Sequence, residues 1–290
     1  MAKHLNPALR HDVVYLVDVI DGSLNGDPDA ANQPRQDFES QQGIATDACL
    51  KRKVRDYVAQ CGHEIFVQQG ACLNNLIEAG YEKSGILTKE LKQKDDKGKY
   101  KNKSTEEQQL IAQECLIRQY YDIRMFGGVL GTGLKAGQVT GPMQFTFARS
   151  VDPITPMTVT VSRCAATEGK EGKDNKTLGK KELIPYGLYR SSIFYNPNIA
   201  RFVTSEDLEI FWEALLNCWE VNRSASRGLI ACRGLWVFTH EAKMGSAPTH
   251  TLLDSVQIKK KSEGAPRHFS DYDVTQLALD LPGITVTQLR

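Results

Sequence analysis

Two hundred and ninety residues, 41% hydrophobic and 24% charged, describe a globular chain long enough to bury most of its unfolded surface without staples. Its 36 Lys and Arg against 35 Asp and Glu leave it near neutral, so a polyanion partner must be held by a local patch. A membrane span is excluded because the longest N-terminal apolar stretch, Val13 to Ile20, is short and carries Asp18. No apolar run before a small-residue cleavage site marks a secretory signal, and seven cysteines without a CxxC pair point to a reducing cytoplasm.

His11 to Ile20 reads as a strand that stops at Asp21-Gly22. It is nearly all apolar over Val13 to Val17, as a central strand covered on both faces must be. Ser23 to Ile44, broken by Asn25-Gly26-Asp27-Pro28 and Gln33-Pro34, reads as a long loop. Thr46 is an N-cap for a helix whose Leu50, Val54, Tyr57, Val58 and Cys61 fall on one face. Glu64 to Gln68 reads as extended and Cys72 to Ala79 as a short helix. Lys89 to Lys103, with seven lysines and almost nothing apolar, reads as a solvated loop.

Ser104-Thr-Glu-Glu107 predicts a capping box opening a helix to about Tyr121. Asp122 to Phe126 reads as a strand entering a glycine-rich stretch, Gly127 to Gly141. Met143 to Arg149, Met157 to Ala165 and Ile184 to Tyr195 read as strands, with a polar hairpin-like excursion over 163–184. Leu208, Phe211, Trp212, Leu215, Leu216 and Trp219 predict a strong helix from Thr204. Leu229 to His240 reads as the last long strand, and Asp271 to Leu281 as a short helix. The order of elements fits an α+β fold with a β-α-β-β-α-β core, ferredoxin-like or RNA-recognition-like, carrying large insertions. A doubly wound fold would need regular alternation of strands and helices.

Catalytic motifs are poorly served. Asp21-x-Ser23-x-Asn25-Gly26-Asp27 begins like a calcium loop, but Asn32 stands where the bidentate Glu belongs. Gly128-x4-Gly133 is followed by Leu134-Lys135 rather than the Lys-Ser or Lys-Thr of a P-loop. The histidines are scattered; a lone His11 is more often structural than a general acid. No metal site, cofactor site or catalytic triad can be assembled. Cations are better placed. Lys51, Arg52 and Arg55 lie beside the apolar stripe of the first helix, Arg35 in the loop before it, Lys135 in the glycine-rich run, and Arg163 and Arg190 at the excursion's ends. Lys259-Lys260-Lys261 adds a further patch. Each alone is an ordinary surface charge; together, on such a core, they favour a polyanion track.

Asn25-Gly-Asp-Pro28, Asn32-Gln-Pro-Arg35 and Thr46-Asp-Ala-Cys-Leu-Lys-Arg-Lys-Val-Arg-Asp-Tyr57 carry a resemblance. So do Asp122-Ile-Arg-Met-Phe-Gly127, Pro185-Tyr-Gly-Leu-Tyr-Arg190, Asp207 to Leu215, Arg223 to Gly228 and Gly234 to Phe238. The sequence resembles the CRISPR RNA-binding backbone subunit of Cascade complexes, in the type I-C branch of the Cas-seven family, over nearly its whole length. The resemblance implies a single hand-shaped domain: a palm over about 9–62, 122–162 and 185–290, a fingers insertion over about 63–121 and a thumb hairpin over about 163–184. It implies further copies of the chain stacked in a helical filament along one CRISPR RNA, with target DNA pairing to the guide and other Cascade subunits as partners. Guide contacts fall on Arg35, Lys51, Arg52, Arg55 and the Phe126-Gly127-Gly128 turn, joined by the cations Lys135, Arg163 and Arg190. No membrane partner, cofactor or catalysis is implied. The competing expectation is an endoribonuclease, because backbone subunits of type III complexes cut RNA with an acid after the first strand. Asp27, Asp29 and Asp37 occupy that loop, although a turn role for Asp27 is simpler.

Overall fold

The computed structural model describes residues 2–88, 91, 104–163, 177–261 and 263–290. Strand β1 (Arg10–Gly22) is buried on both faces from His11 to Val19, as its apolar run requires. The loop after it carries two short paired strands, β2 (Gly26–Asp27) and β3 (Gln33–Pro34), then β4 (Gln42–Ala45). Helix α1 (Asp47–Gln60) begins at the expected cap, with Thr46 Oγ1 accepting from Cys49 N. Helix α2 (Leu73–Lys83) runs four residues beyond its predicted end. Helix α3 (Glu106–Gln119) has its capping box one residue later than the sequence suggested. Thr105 and Gln108 form it, while the Ser104 hydroxyl donates to the Leu134 carbonyl.

Residues 122–126 are not a strand. Tyr121–Phe126 is a short helix, α4, because Ile123 must face one apolar cluster and Met125 and Phe126 another. The glycine-rich stretch is an ordered hairpin of β5 (Gly127–Leu130) and β6 (Gly137–Thr140). Next come β7 (Met143–Phe145), β8 (Ala148–Pro153), β9 (Met157–Arg163) and the long β10 (Thr177–Tyr195), which starts seven residues before the expected strand. Helix α5 (Ser205–Val221) is capped by Thr204 and Asp207. Then follow β11 (Leu229–His240), α6 (Thr249–Asp254), β12 (Val256–Lys260), β13 (Tyr272–Gln276) and β14 (Ile284–Gln288). β13 corrects the helix expected over 271–281: Tyr272, Val274 and Thr275 are strand formers, and they find a partner in β12. The expected loop over 89–103 lies outside the described residues except Leu91. The middle of the 163–184 excursion, residues 164–176, does too.

The main sheet runs β14-β11-β1-β10-β8-β4, every pair antiparallel, with β7 and β9 also on β10. Odd residues of β1 face the helices: Val13, Tyr15, Val17 and Val19 pack with Leu50, Val54 and Val58 of α1 and Leu208, Phe211 and Leu215 of α5. Each such Leu or Phe contributes roughly 1.5–3 kcal/mol of burial. The Trp219 indole donates to the Tyr15 hydroxyl, which donates to the Leu215 carbonyl, both at 2.8 Å, so the polar groups of these two buried side chains are satisfied. Even residues Val14 and Leu16 face the other way, onto Leu252, Val256 and Tyr272. A separate core, from Phe66 through Leu116 and Ile123 to Val139, gathers α2, α3 and the β5–β6 hairpin. The pairing of β1 with β10 ends at Gly22 and Ile184. Beyond it, Thr177 to Leu183 pair instead with β9 from Arg163 back to Met157. A two-stranded arm therefore leaves the sheet past the end of β1.

Candidate nucleic-acid interface

The loop after β1 is tied to the start of α1 by Asn25. Its Oδ1 accepts from both the backbone N–H and the hydroxyl of Thr46, each at 3.0 Å. The turn before β11 presses on the same place from the other side. A Cβ at Gly22 would stand 1.9 Å from the Arg227 carbonyl oxygen. One at Gly228, where φ is +61°, would stand 2.2 Å from that of Ile20. These two glycines let Arg227 lie against the end of β1. The base of the β9–β10 arm closes the third side.

The result is a cleft of about 620 Å³ between the start of α1, the loop after β1, the Arg227 turn and the arm. Arg52, Lys53, Lys180, Lys181 and Arg227 line it, and among the described lining residues Glu182 is the single carboxylate. Glu182 also accepts from the Thr158 hydroxyl across the arm. Lys53 is the informative residue. It is 5% exposed, yet among the described residues its Nζ reaches only Asn222 Oδ1 at 3.4 Å and Asp56 Oδ2 at 4.0 Å. Asp56 is already shared, accepting from Arg52 at 2.7 Å and from Asn222 at 2.9 Å. Burial, and then the like charge of Arg227, hold the Lys53 ammonium below the ordinary lysine pKa. An ammonium so weakly compensated is stabilised by an anion entering the cleft.

The structure divides the sequence-predicted residues. Arg52 lines the cleft and is 44% exposed at its side chain while paired to Asp56. Arg35 belongs to the same loop system. Its backbone N–H donates to the Asn25 carbonyl, and its guanidinium pairs with Asp27 at 3.3 Å. Lys51 points elsewhere: it pairs with Asp47 at 3.1 Å and lies 5.9 Å from the Phe145 ring. Arg55 donates to the fully buried Asp122 at 2.8 Å. Asp122 also accepts from the Phe66 and Val67 N–H groups, so this pair clasps α1 to the second core. Phe126 packs edge-on against Phe145, Phe211 and Tyr121. Gly127, at φ +74°, is required by close approach, since a Cβ would meet the Val139 carbonyl oxygen at 2.3 Å. Gly128 sits against Ile123, and Lys135 is exposed where the β5–β6 hairpin turns.

Arg163 ends β9, opposite Thr177. Arg190 pairs in register with Leu16, so it lies on the sheet face away from α1. There its guanidinium donates to the Leu253 and Val256 carbonyls at 2.5 and 3.1 Å. Of the lysine patch, Lys260 pairs with Asp152 and Lys261 donates to the Ser270 carbonyl. Sequence reasoning missed Lys53, Lys180, Lys181 and Arg227. The available signal was Lys53 itself, a lysine adjoining the apolar stripe between Leu50 and Val54.

Two acids of the loop, Asp27 and Asp37, are engaged. Asp27 caps a short 3-10 turn by accepting from Asp29 N, and Asp37 caps its own turn and pairs with Arg149 at 2.9 Å. That Arg149 contact, first among several, lowers the Asp37 carboxyl pKa. Among the described residues no three His, Cys, Asp or Glu side chains gather as a metal site. His11 is fully buried, with Nε2 donating to the Asn6 carbonyl and Nδ1 at 3.1 Å from the Thr239 hydroxyl. Burial drives its pKa down to about 4. Among the described residues no helix is long and apolar enough to cross a membrane.

Comparison with known proteins agrees with this architecture. A family model described as CRISPR-associated protein Cas7 matches residues 9–276. A curated relative from Haloferax volcanii with the same description is 38% identical over 60 residues; the match covers 21% of this chain and only 18% of the relative. A solved chain of a CRISPR RNA-guided surveillance complex, pre-nicking, superposes with a TM-score of 0.51 and 14% identity. That superposition covers 79% of this chain and 78% of the other, a likeness of fold.

Proposed function

This chain belongs to the CRISPR-associated Cas7 family, and from that premise we propose that it is a guide-RNA-binding backbone subunit of a CRISPR surveillance complex. The observation that carries the reading is the cleft: among its described lining residues five cations stand against one carboxylate, with Lys53 buried and undercompensated. RNA phosphates supply the missing negative charge. Contacts to phosphates alone leave the bases free, as a subunit that must accept any guide sequence requires.

The finer assignment follows the same lines. The strand order β11-β1-β10-β8, with α1 and α5 on one face, supports an RNA-recognition-like palm. The second core supports the fingers, and the β9–β10 arm the thumb. Copies stack along one guide in the manner of the type I-C branch, present it to target DNA and join other subunits of the complex. The reading includes no catalytic role; the turns and ion pairs that hold Asp27 and Asp37 support it. Salt-dependent binding of guide RNA tests the reading. Replacing Arg52, Lys180 and Lys181 together by Ala should lower the slope of log affinity on log salt by about 2, at roughly 0.7 per phosphate contact. An unchanged slope in a normally folded variant would reject the cleft as the RNA seat.

A further inference from the structure

A second feature lies on the sheet face opposite the RNA cleft. β12 and β13 form a separate two-stranded sheet. The Ser255 carbonyl accepts from Leu277 N–H, and Lys261 N–H donates to the Asp271 carbonyl. Both pairs lie in the register that sets Val256 opposite Gln276. Hydrogen-bonded positions alternate in an antiparallel pair, so 255, 257, 259 and 261 bond to β13. The N–H and C=O groups of Val256, Ile258 and Lys260 therefore turn outward. Arg190 confirms the direction, since it reaches the outward Val256 carbonyl from β10. Among the described residues no strand pairs with this edge.

The edge borders a groove of about 580 Å³ whose opposite wall includes Phe147, Arg149 and Val151. Phe147 is 51% exposed. Lys259 brings positive charge to the groove, beside an Arg149 already paired with Asp37 and an Arg190 turned onto backbone carbonyls, and Asp254 is the one carboxylate among the described lining residues.

We propose that β12 is a docking edge for an extended, acidic segment of another protein subunit, which adds as a strand and seats an apolar side chain against Phe147. The backbone pattern selects the class of partner. Outward groups recur every second residue, about 6.8 Å apart, which is the repeat of a polypeptide strand. The outward Ile258 carbonyl accepts and its N–H donates, an alternation that a strand backbone matches at every second residue and a phosphate backbone does not. Lys259 selects among strands, because a lysine beside an open edge deters basic chains while welcoming carboxylates; Lys260 is already paired with Asp152. Seating on this face leaves the RNA cleft open, so both are occupied together. That the partner belongs to the same complex rests on the family reading; the edge geometry does not.

Amide hydrogen exchange tests this on two samples: the chain bound to guide RNA alone, and the complete complex isolated through a tag on this chain. The Ile258 and Lys260 amides should slow by about tenfold or more in the complete complex only. Ile258→Pro removes an outward donor while sparing the bonds to β13. It should melt lower, because Ile258 packs against the core with Val14 and Leu16, yet bind RNA as wild type does and lose the protection at Lys260. Lys259→Glu, which leaves the backbone unchanged, should lose it too, and decides the matter if the proline variant does not fold. Equal exchange in both samples, protection by RNA alone, or wild-type protection in Lys259→Glu would overturn the proposal. The RNA content of the same complex reports on the guide-binding reading separately.

Discussion

Lys53→Met separates stability from function in opposite directions. In the RNA-free protein Lys53 is 5% exposed, with a 3.4 Å amide contact and a 4.0 Å carboxylate already shared by Arg52. Arg227 adds like charge, and burial holds the Lys53 pKa down. Methionine fills similar volume without a charge to desolvate. Replacing a buried ionic group by a packed apolar one is often neutral or stabilising by roughly 1–4 kcal/mol. Taking about 1 kcal/mol, the melting temperature of the RNA-free chain should rise by roughly 2–4 °C. RNA binding should fall, because a charge-assisted phosphate contact worth about 1.5–3 kcal/mol disappears, roughly tenfold to a hundredfold in Kd. The salt slope should drop by about 0.7. Thermal melting and fluorescence polarisation with guide-length RNA, across a salt series, give all three readouts. A variant that melts lower while keeping wild-type affinity and slope would refute the reasoning, for Lys53 would then be an ordinary structural lysine.

Other perturbations follow from the same geometry. His11 is buried neutral with a pKa near 4 against its ordinary 6.5. Its contribution, about 3 kcal/mol, is therefore complete above pH 6.5 and is lost as pH falls toward 4; chemical denaturation along that range should show the loss, and His11→Asn should flatten it. Asp122→Ala leaves Arg55 unpaired and orphans the Phe66 and Val67 N–H groups, so urea titration should register a loss of about 3–5 kcal/mol. Replacing residues 158–182 by a Gly-Ser linker removes Lys180 and Lys181 but spares the buried Leu183 and Ile184; melting should persist while size exclusion detects no filament on guide RNA, and wild-type filaments would rule the arm out as the thumb. Assembled protein with magnesium should leave complementary RNA intact on a denaturing gel, and Asp27→Ala should change RNA ordering rather than a cleavage rate.

The long apolar and amphipathic segments were legible from sequence because local pattern decides them. β1, α1, α5 and β11 appear where the runs and the Thr46 and Thr204 caps put them. Residues 122–126 misled because Asp-Ile-Arg-Met-Phe alternates like a strand. The segment turns as a helix to share its side chains between two cores, and Asp122 finds Arg55 across 67 residues. Charge in sequence also conceals its destination. Arg52 and Arg55 lie one turn apart, yet one lines the cleft and the other closes on a buried carboxylate. Arg190 falls on the far face through the parity of its pairing with Leu16, a register that no local motif encodes. Lys180, Lys181 and Arg227 reach the cleft from segments far from α1 in the chain, so only the folded topology brings them together.

The nucleic acid that accompanies the protein when it is purified from cells carrying a CRISPR array tests the central claim most directly. The cleft, and the stacking of copies along one guide, predict RNA of one defined length, sensitive to ribonuclease, and lost together with filaments when Arg52, Lys180 and Lys181 are replaced by Ala. Protein free of nucleic acid, or carrying RNA of random length that the triple variant retains, would contradict it.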